Sequence, residues 1–153
     1  MKDLKNYLNE SSKGKKYEFV PGHDDEFEGH TVHLIRALKK FTYEVNGVKA
    51  IVNKGDIGGY IESEDNLSQE GNCWVEGDSF VTDNAKVMGD AVVCSNSVLA
   101  DNAVIKDHAF VGDNTTLRGD SMLSDYASVG GGEEYKDITL DGNESEWPEY
   151  YQN

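Results

Sequence analysis

Small, aliphatic and turn-forming residues recur with a period of six between residues 73 and 132. In blocks the stretch reads CWVEGD, SFVTDN, AKVMGD, AVVCSN, SVLADN, AVIKDH, AFVGDN, TTLRGD, SMLSDY and ASVGGG, ten blocks without a gap. The first position is always small (Cys, Ser, Ala or Thr) and the third is always Val, Leu or Ile. The fifth and sixth are mostly Gly, Asp or Asn. Internal periodicity of this kind marks a stacked, repetitive architecture.

Positions one and three of a short strand point to the same side, so that side is the interior. The small residue leaves room near a corner, and the aliphatic residue fills the core. Gly, Asp and Asn then make the sharp turn, because they tolerate backbone angles that other residues avoid. Three such edges close a triangular coil, which stacks on the next at about 4.8 Å by parallel pairing. The pattern predicts Val75, Val81, Val87, Val93, Leu99, Ile105, Val111, Leu117, Leu123 and Val129 inward. Blocks 61–66 and 67–72 keep turn residues but lack the aliphatic third position, and read as a first, irregular coil.

The flanks differ. Residues 1–16 form a polar, Lys-rich arm. Residues 17–60 read as a small β unit, with strands near Lys16–Val20 and Thr31–Leu38 and a hairpin at Asn46-Gly47, a two-residue turn signal. An open end of a β-helix presents unpaired strand edges, and this unit is placed to cap one. Residues 133–153 carry seven acids and one base together with Tyr135, Trp147, Tyr150 and Tyr151. They read either as an acidic tail or as a segment folding back to cap the last coil.

The blocks resemble the hexapeptide repeats of left-handed parallel β-helix proteins. The leader Leu34–Leu38, Lys54–Glu62 and Asn66–Val75 is similar to bacterial and phage proteins of the YdcK-like type, often labelled transferases. The resemblance spans roughly residues 17–132. It implies an all-β fold, a left-handed parallel β-helix with an N-terminal β cap and an acidic C-terminal tail. It also implies trimers as a common assembly, and it carries over no catalytic constellation.

Stacking of one coil on the next predicts surface columns. Trp74, Val92 and Phe110 form one outward column, an apolar patch that needs cover from the N-terminal unit, the tail or a second copy. Homo-oligomerisation is expected on that ground. At the corners, Asp83 stacks over Asp101 and Asp107 over Asp125.

Charge sharpens this picture. The chain has 29 acidic and 14 basic residues, net −15, which disfavours direct nucleic-acid binding because affinity for phosphates rests on clustered Lys and Arg. No long, uninterrupted apolar run exists, and Met1–Leu4 opens no apolar leader. Membrane insertion is therefore not expected, and the cytoplasm is the expected compartment. Cys73 and Cys94 make no disulfide framework.

Candidate chemistry is sparse. His108 is the one histidine in the repeats, stacked between Asp90 and Tyr126. It is the weak candidate for a general base if the chain is a small acyltransferase. His30 and His33, at i and i+3 of a strand, point to opposite faces and cannot share an ion. The β-helix carbonic anhydrases take three His from their coils, and one is present here. No metal or cofactor is expected. The leading expectation is a non-catalytic acidic interaction protein with Trp74, Val92, Phe110, Asp83, Asp101, Asp107 and Asp125 on its interacting surface. Its partner would be a basic protein surface, such as a host nuclease or defence enzyme inhibited by charge mimicry, as phage proteins do. The alternatives are the acyltransferase and a structural, polymer-forming element.

Overall fold

The computed structural model describes residues 14–148. The N-terminal unit contains β1 (Tyr17–Phe27), β2 (His30–Ala37), β3 (Phe41–Val45), β4 (Val48–Val52) and β5 (Ile57–Ile61). Short strands then recur at the period of the blocks: β6 (Trp74–Val75), β7 (Phe80–Val81), β8 (Lys86–Val87), β9 (Val92–Val93), β10 (Val98–Leu99), β11 (Val104–Ile105), β12 (Phe110–Val111), β13 (Thr116–Arg118), β14 (Met122–Leu123) and β15 (Ser128–Val129). Three more follow: β16 (Glu134–Lys136), β17 (Thr139–Leu140) and β18 (Ser145–Glu146).

These strands stack in parallel on three faces. One face runs β5-β7-β10-β13-β16, the second β8-β11-β14-β17 and the third β6-β9-β12-β15-β18. Val98 pairs with both Phe80 and Thr116, and Val104 with both Lys86 and Met122, so the register advances by three blocks, one full coil, at each step. The result is a parallel β-helix of about five coils. All ten predicted inward aliphatic residues are buried, from Val75 to Val129. The small first-position residues Ala85, Ala91, Ala103 and Ala127 are buried beside them. Among the described residues, no helix is long and apolar enough to cross a membrane.

The first coil corrects the sequence frame. Ile61 pairs with Val81 and Leu67 with Val87, whereas Val75 pairs with Val93. Ile61 and Leu67 are therefore the inward aliphatics of this coil, and both are fully buried. An insertion in the corner between Leu67 and Val75 displaced the block frame and hid them. Gly58 and Gly59 belong to packing. A Cβ on Gly58 would sit 2.7 Å from the Trp74 ring, and one on Gly59 would sit 2.5 Å from the Ser79 carbonyl oxygen.

As far as Pro148, the C-terminal segment is neither a solvating tail nor a fold-back over the end; Tyr150 and Tyr151 lie outside the described residues. Its strands continue the three faces as a fifth coil, with Leu117 opposite Tyr135, Leu123 opposite Leu140 and Val129 opposite Glu146. The Tyr135 hydroxyl donates to the Gly130 and Glu146 carbonyls at 3.1 and 3.2 Å.

The opposite end is closed by the N-terminal unit. Strands β1 and β2 extend one face in antiparallel fashion, β2 pairing with β5. Lys16, assigned by the sequence to the polar arm, is fully buried there beside Tyr17, so the cap begins earlier than expected; residues 1–13 of the arm lie outside the described residues. The Lys16 ammonium donates to the Cys73 carbonyl at 2.6 Å and to that of Gly71 at 3.3 Å, and the Tyr17 hydroxyl donates to the Leu67 carbonyl. These donors satisfy carbonyls that no further coil reaches. Hairpin β3–β4 turns at Asn46 and Gly47, both at positive φ as a two-residue turn of this kind requires.

Candidate interaction surface

Corner chemistry builds the most regular feature of the surface. At the fifth block position Asp83, Asp101, Asp107 and Asp125 adopt φ between 54° and 57°, the left-handed region in which Asp is tolerated. That conformation aims each carboxylate along the stacking axis. Asp83 Oδ2 accepts the backbone N–H of Asp101 at 3.0 Å, and Asp101 Oδ2 accepts that of Gly119 at 2.9 Å. On a second corner, Asp107 Oδ2 accepts from Asp125 N–H at 2.9 Å and Asp125 Oδ2 from Gly142 N–H at 2.8 Å. Beside the first ladder, the Asn84 amide donates to Asn102 and the Asn102 amide to Asp120. The predicted acid columns thus hold the coil corners together and, at the same time, fix carboxylates in rows. Asp107 and Asp125 are exposed, whereas Asp83 and Asp101 are partly buried.

Of the three covers the sequence left open for the apolar column, the N-terminal unit and the C-terminal segment supply it. Trp74, Val92 and Phe110 do point out of the coil, yet they are only 2%, 0% and 7% exposed. The cover comes from the chain itself. Phe41 meets Trp74 edge to face at 5.2 Å, Tyr43 and Val45 of the hairpin pack on Val92, Cys94 and Phe110, and Trp147 closes the lower end. The Tyr43 hydroxyl anchors the hairpin on Glu76 at 2.7 Å. This column is core, not a free interaction face, so the exposed-patch argument for self-association falls away. Gly130 is the residue that admits Trp147, since a Cβ there would overlap the indole ring.

His108 lies on the outside, its ring stacked on Tyr126 at 4.8 Å. Its Nδ1 is 3.9 Å from Asp90, longer than a hydrogen bond. It borders a groove of about 390 Å³ below the hairpin turn, lined also by Glu44, Asn46, Phe110, Ser128 and Trp147. The thiols offer no activated nucleophile: burial pushes the pKa of both Cys73 and Cys94 up, that of Cys94 to about 11.

One grouping escaped the sequence. His30 at the start of β2 faces Glu62 just after β5 and Asp83 at the first corner. Its Nδ1 is 3.2 Å from Glu62 Oε1 and its Nε2 3.2 Å from Asp83 Oδ1. The hydrogen bond to Glu62 raises the imidazole pKa, opposed by partial desolvation and aided by the charge of Asp83. His33 is turned to a separate partner, Asp24, at 2.8 Å. The only sequence signal for the grouping was the Glu62–Asp83 proximity, visible once the first coil is framed on Ile61 and Leu67.

No family model matches this chain, and no curated protein matches it.

Proposed function

We propose that this protein is a non-catalytic interaction module that presents a dense, ordered row of carboxylates to a basic protein surface. The fitting partner is a nuclease or defence enzyme whose nucleic-acid-binding face the row occupies. The observation that carries this reading is charge per unit length. Residues 73–148 hold 15 acids and 4 bases. They stack over about four coil rises of ~4.8 Å each. That gives one net negative charge per roughly 1.8 Å, against about 1.7 Å for duplex DNA.

Order matters as much as density. Each ladder carboxylate has one oxygen tied to a main-chain N–H of the next coil, so its position is set before any partner arrives. A surface already ordered avoids part of the side-chain entropy cost of association. Its field also steers basic partners and is screened by salt. A role against a host enzyme belongs in the cytoplasm.

The test is capture from a bacterial lysate on the immobilised protein, followed by elution with duplex DNA. The reading expects a basic nucleic-acid-binding protein that DNA displaces. Retained protein that DNA leaves in place removes the mimicry.

A further inference from the structure

The head of the first acid ladder differs from every other rung. Glu62 occupies the place above Asp83, and its Oε1 accepts the Asp83 backbone N–H at 2.6 Å. Asp83 in turn is held through Oδ2 by the N–H of Asp101. Both carboxylates therefore have a fixed orientation, and the Oδ1 atom of Asp83 remains turned toward His30. The imidazole reaches them from the N-terminal unit, carried by β2, whose residue His33 pairs with Ile61 of β5. Three donors from three elements converge in this way.

We propose that His30, Glu62 and Asp83 form a binding site for one transition-metal dication of the zinc class. One ligand atom from each residue lies within 4.8 Å of the other two. Around a tetrahedral zinc ion with bonds of about 2.0–2.2 Å, ligand atoms stand roughly 3.3 Å apart. The His30–Glu62 separation already has that length; it is made by Nδ1, whereas Asp83 stands at Nε2, so a turn of the imidazole ring and of the Asp83 side chain is what brings the three donors to one ion. One imidazole and two carboxylates form a borderline-hard set, suited to zinc more than to calcium, which takes six to eight oxygens. The main-chain N–H groups on Glu62 and Asp83 supply the outer hydrogen bonds that orient carboxylate ligands. The residues are half-buried, so an ion reaches them from solvent and keeps water as its remaining ligand. Binding displaces the proton that the imidazole shares with the carboxylates, so uptake of the metal releases protons. In the fold, the ion ties the cap to the first two coils.

The experiment is calorimetric titration of zinc chloride into the metal-stripped full chain at pH 7.5, with circular dichroism as the check on folding. The expected result is one zinc per chain, weakened at least tenfold by His30→Ala and by Glu62→Gln and unchanged by His108→Ala. Histidine ring NMR on the unmodified chain gives a second readout that needs no variant to fold: zinc shifts the His30 resonances and leaves those of His108 in place. Absence of saturable binding, equal affinity in folded His30→Ala, unmoved His30 resonances, or equal binding of calcium overturns the proposal.

Discussion

The carboxylate of Asp83 accepts the backbone N–H of Asp101 one coil further on, at 3.0 Å, while both residues sit at positive φ. Turn conformation and stacking are thus secured by the same side chain. Asn shares the tolerance for this backbone region and offers an acceptor oxygen, but carries no charge. Asp101→Asn should therefore leave urea stability within about 1 kcal/mol of the parent, whereas Asp101→Ala, which strands the Gly119 N–H, should cost about 1–3 kcal/mol. Equal stability of the two variants would mean that the ladder has no structural part.

The core register makes a sharper demand. Ile105 is fully buried between Val87 and Leu123 on its face. Ile105→Asp places an unpaired charge there, at a cost of about 3–5 kcal/mol. Ile105→Val should cost only about 0.5–1.5 kcal/mol. Thermal denaturation separates them, and an unchanged melting temperature in Ile105→Asp contradicts the inward assignment.

Cover of the apolar column depends on Trp147 from the fifth coil and on the hairpin. The indole N–H donates to Ser128 Oγ at 3.1 Å, and the ring lies 6.1 Å from that of Phe110. Trp147→Ala should destabilise by about 1–3 kcal/mol and expose Phe110. Binding of a hydrophobic dye such as ANS should rise in that variant. No added dye binding would show that something else covers the column.

Alkaline pH should loosen the same region. Burial, reinforced by Glu76, holds the Cys94 pKa at about 11 against an ordinary 9.0. Burial and the hydrogen bond to Glu76 also raise the pKa of Tyr43. For a group whose pKa is raised on folding, the stabilisation is complete below the unfolded value and is lost as pH climbs through the folded value. Melting temperature should fall between pH 9 and 11, and it should fall less steeply in Cys94→Ala. Identical slopes would place the alkaline sensitivity elsewhere.

Much of this fold was legible because each block repeats one physical solution. Val75 through Val129 follow from alternation, and Asp83 or Asp107 from the turn. Where the chain departs from the repeat, legibility ends for identifiable reasons. The fifth coil keeps a single inward aliphatic, Leu140, since Tyr135 and Glu146 stand opposite Leu117 and Val129, and its later strands fall out of step with the blocks above them. The insertion near Ser68–Asn72 hid Ile61 and Leu67. Burial of Trp74 and Phe110 could not be read from the coil alone, because the cover is a hairpin far away in sequence, at Phe41–Val52. The grouping of His30 with Glu62 and Asp83 depends on antiparallel packing of β2 on β5, which leaves no local pattern.

The most direct measurement removes charge from the ladders without disturbing their turns. The chain carrying Asp101→Asn, Asp107→Asn and Asp125→Asn together should keep the parent circular dichroism spectrum. Immobilised beside the parent, it should retain much less of the DNA-displaceable basic protein captured from lysate at low salt. The parent's capture should itself decline as salt rises to about 200 mM, where charge screening shortens to within a nanometre. Undiminished capture by the triple Asn variant, indifferent to salt, would contradict the account.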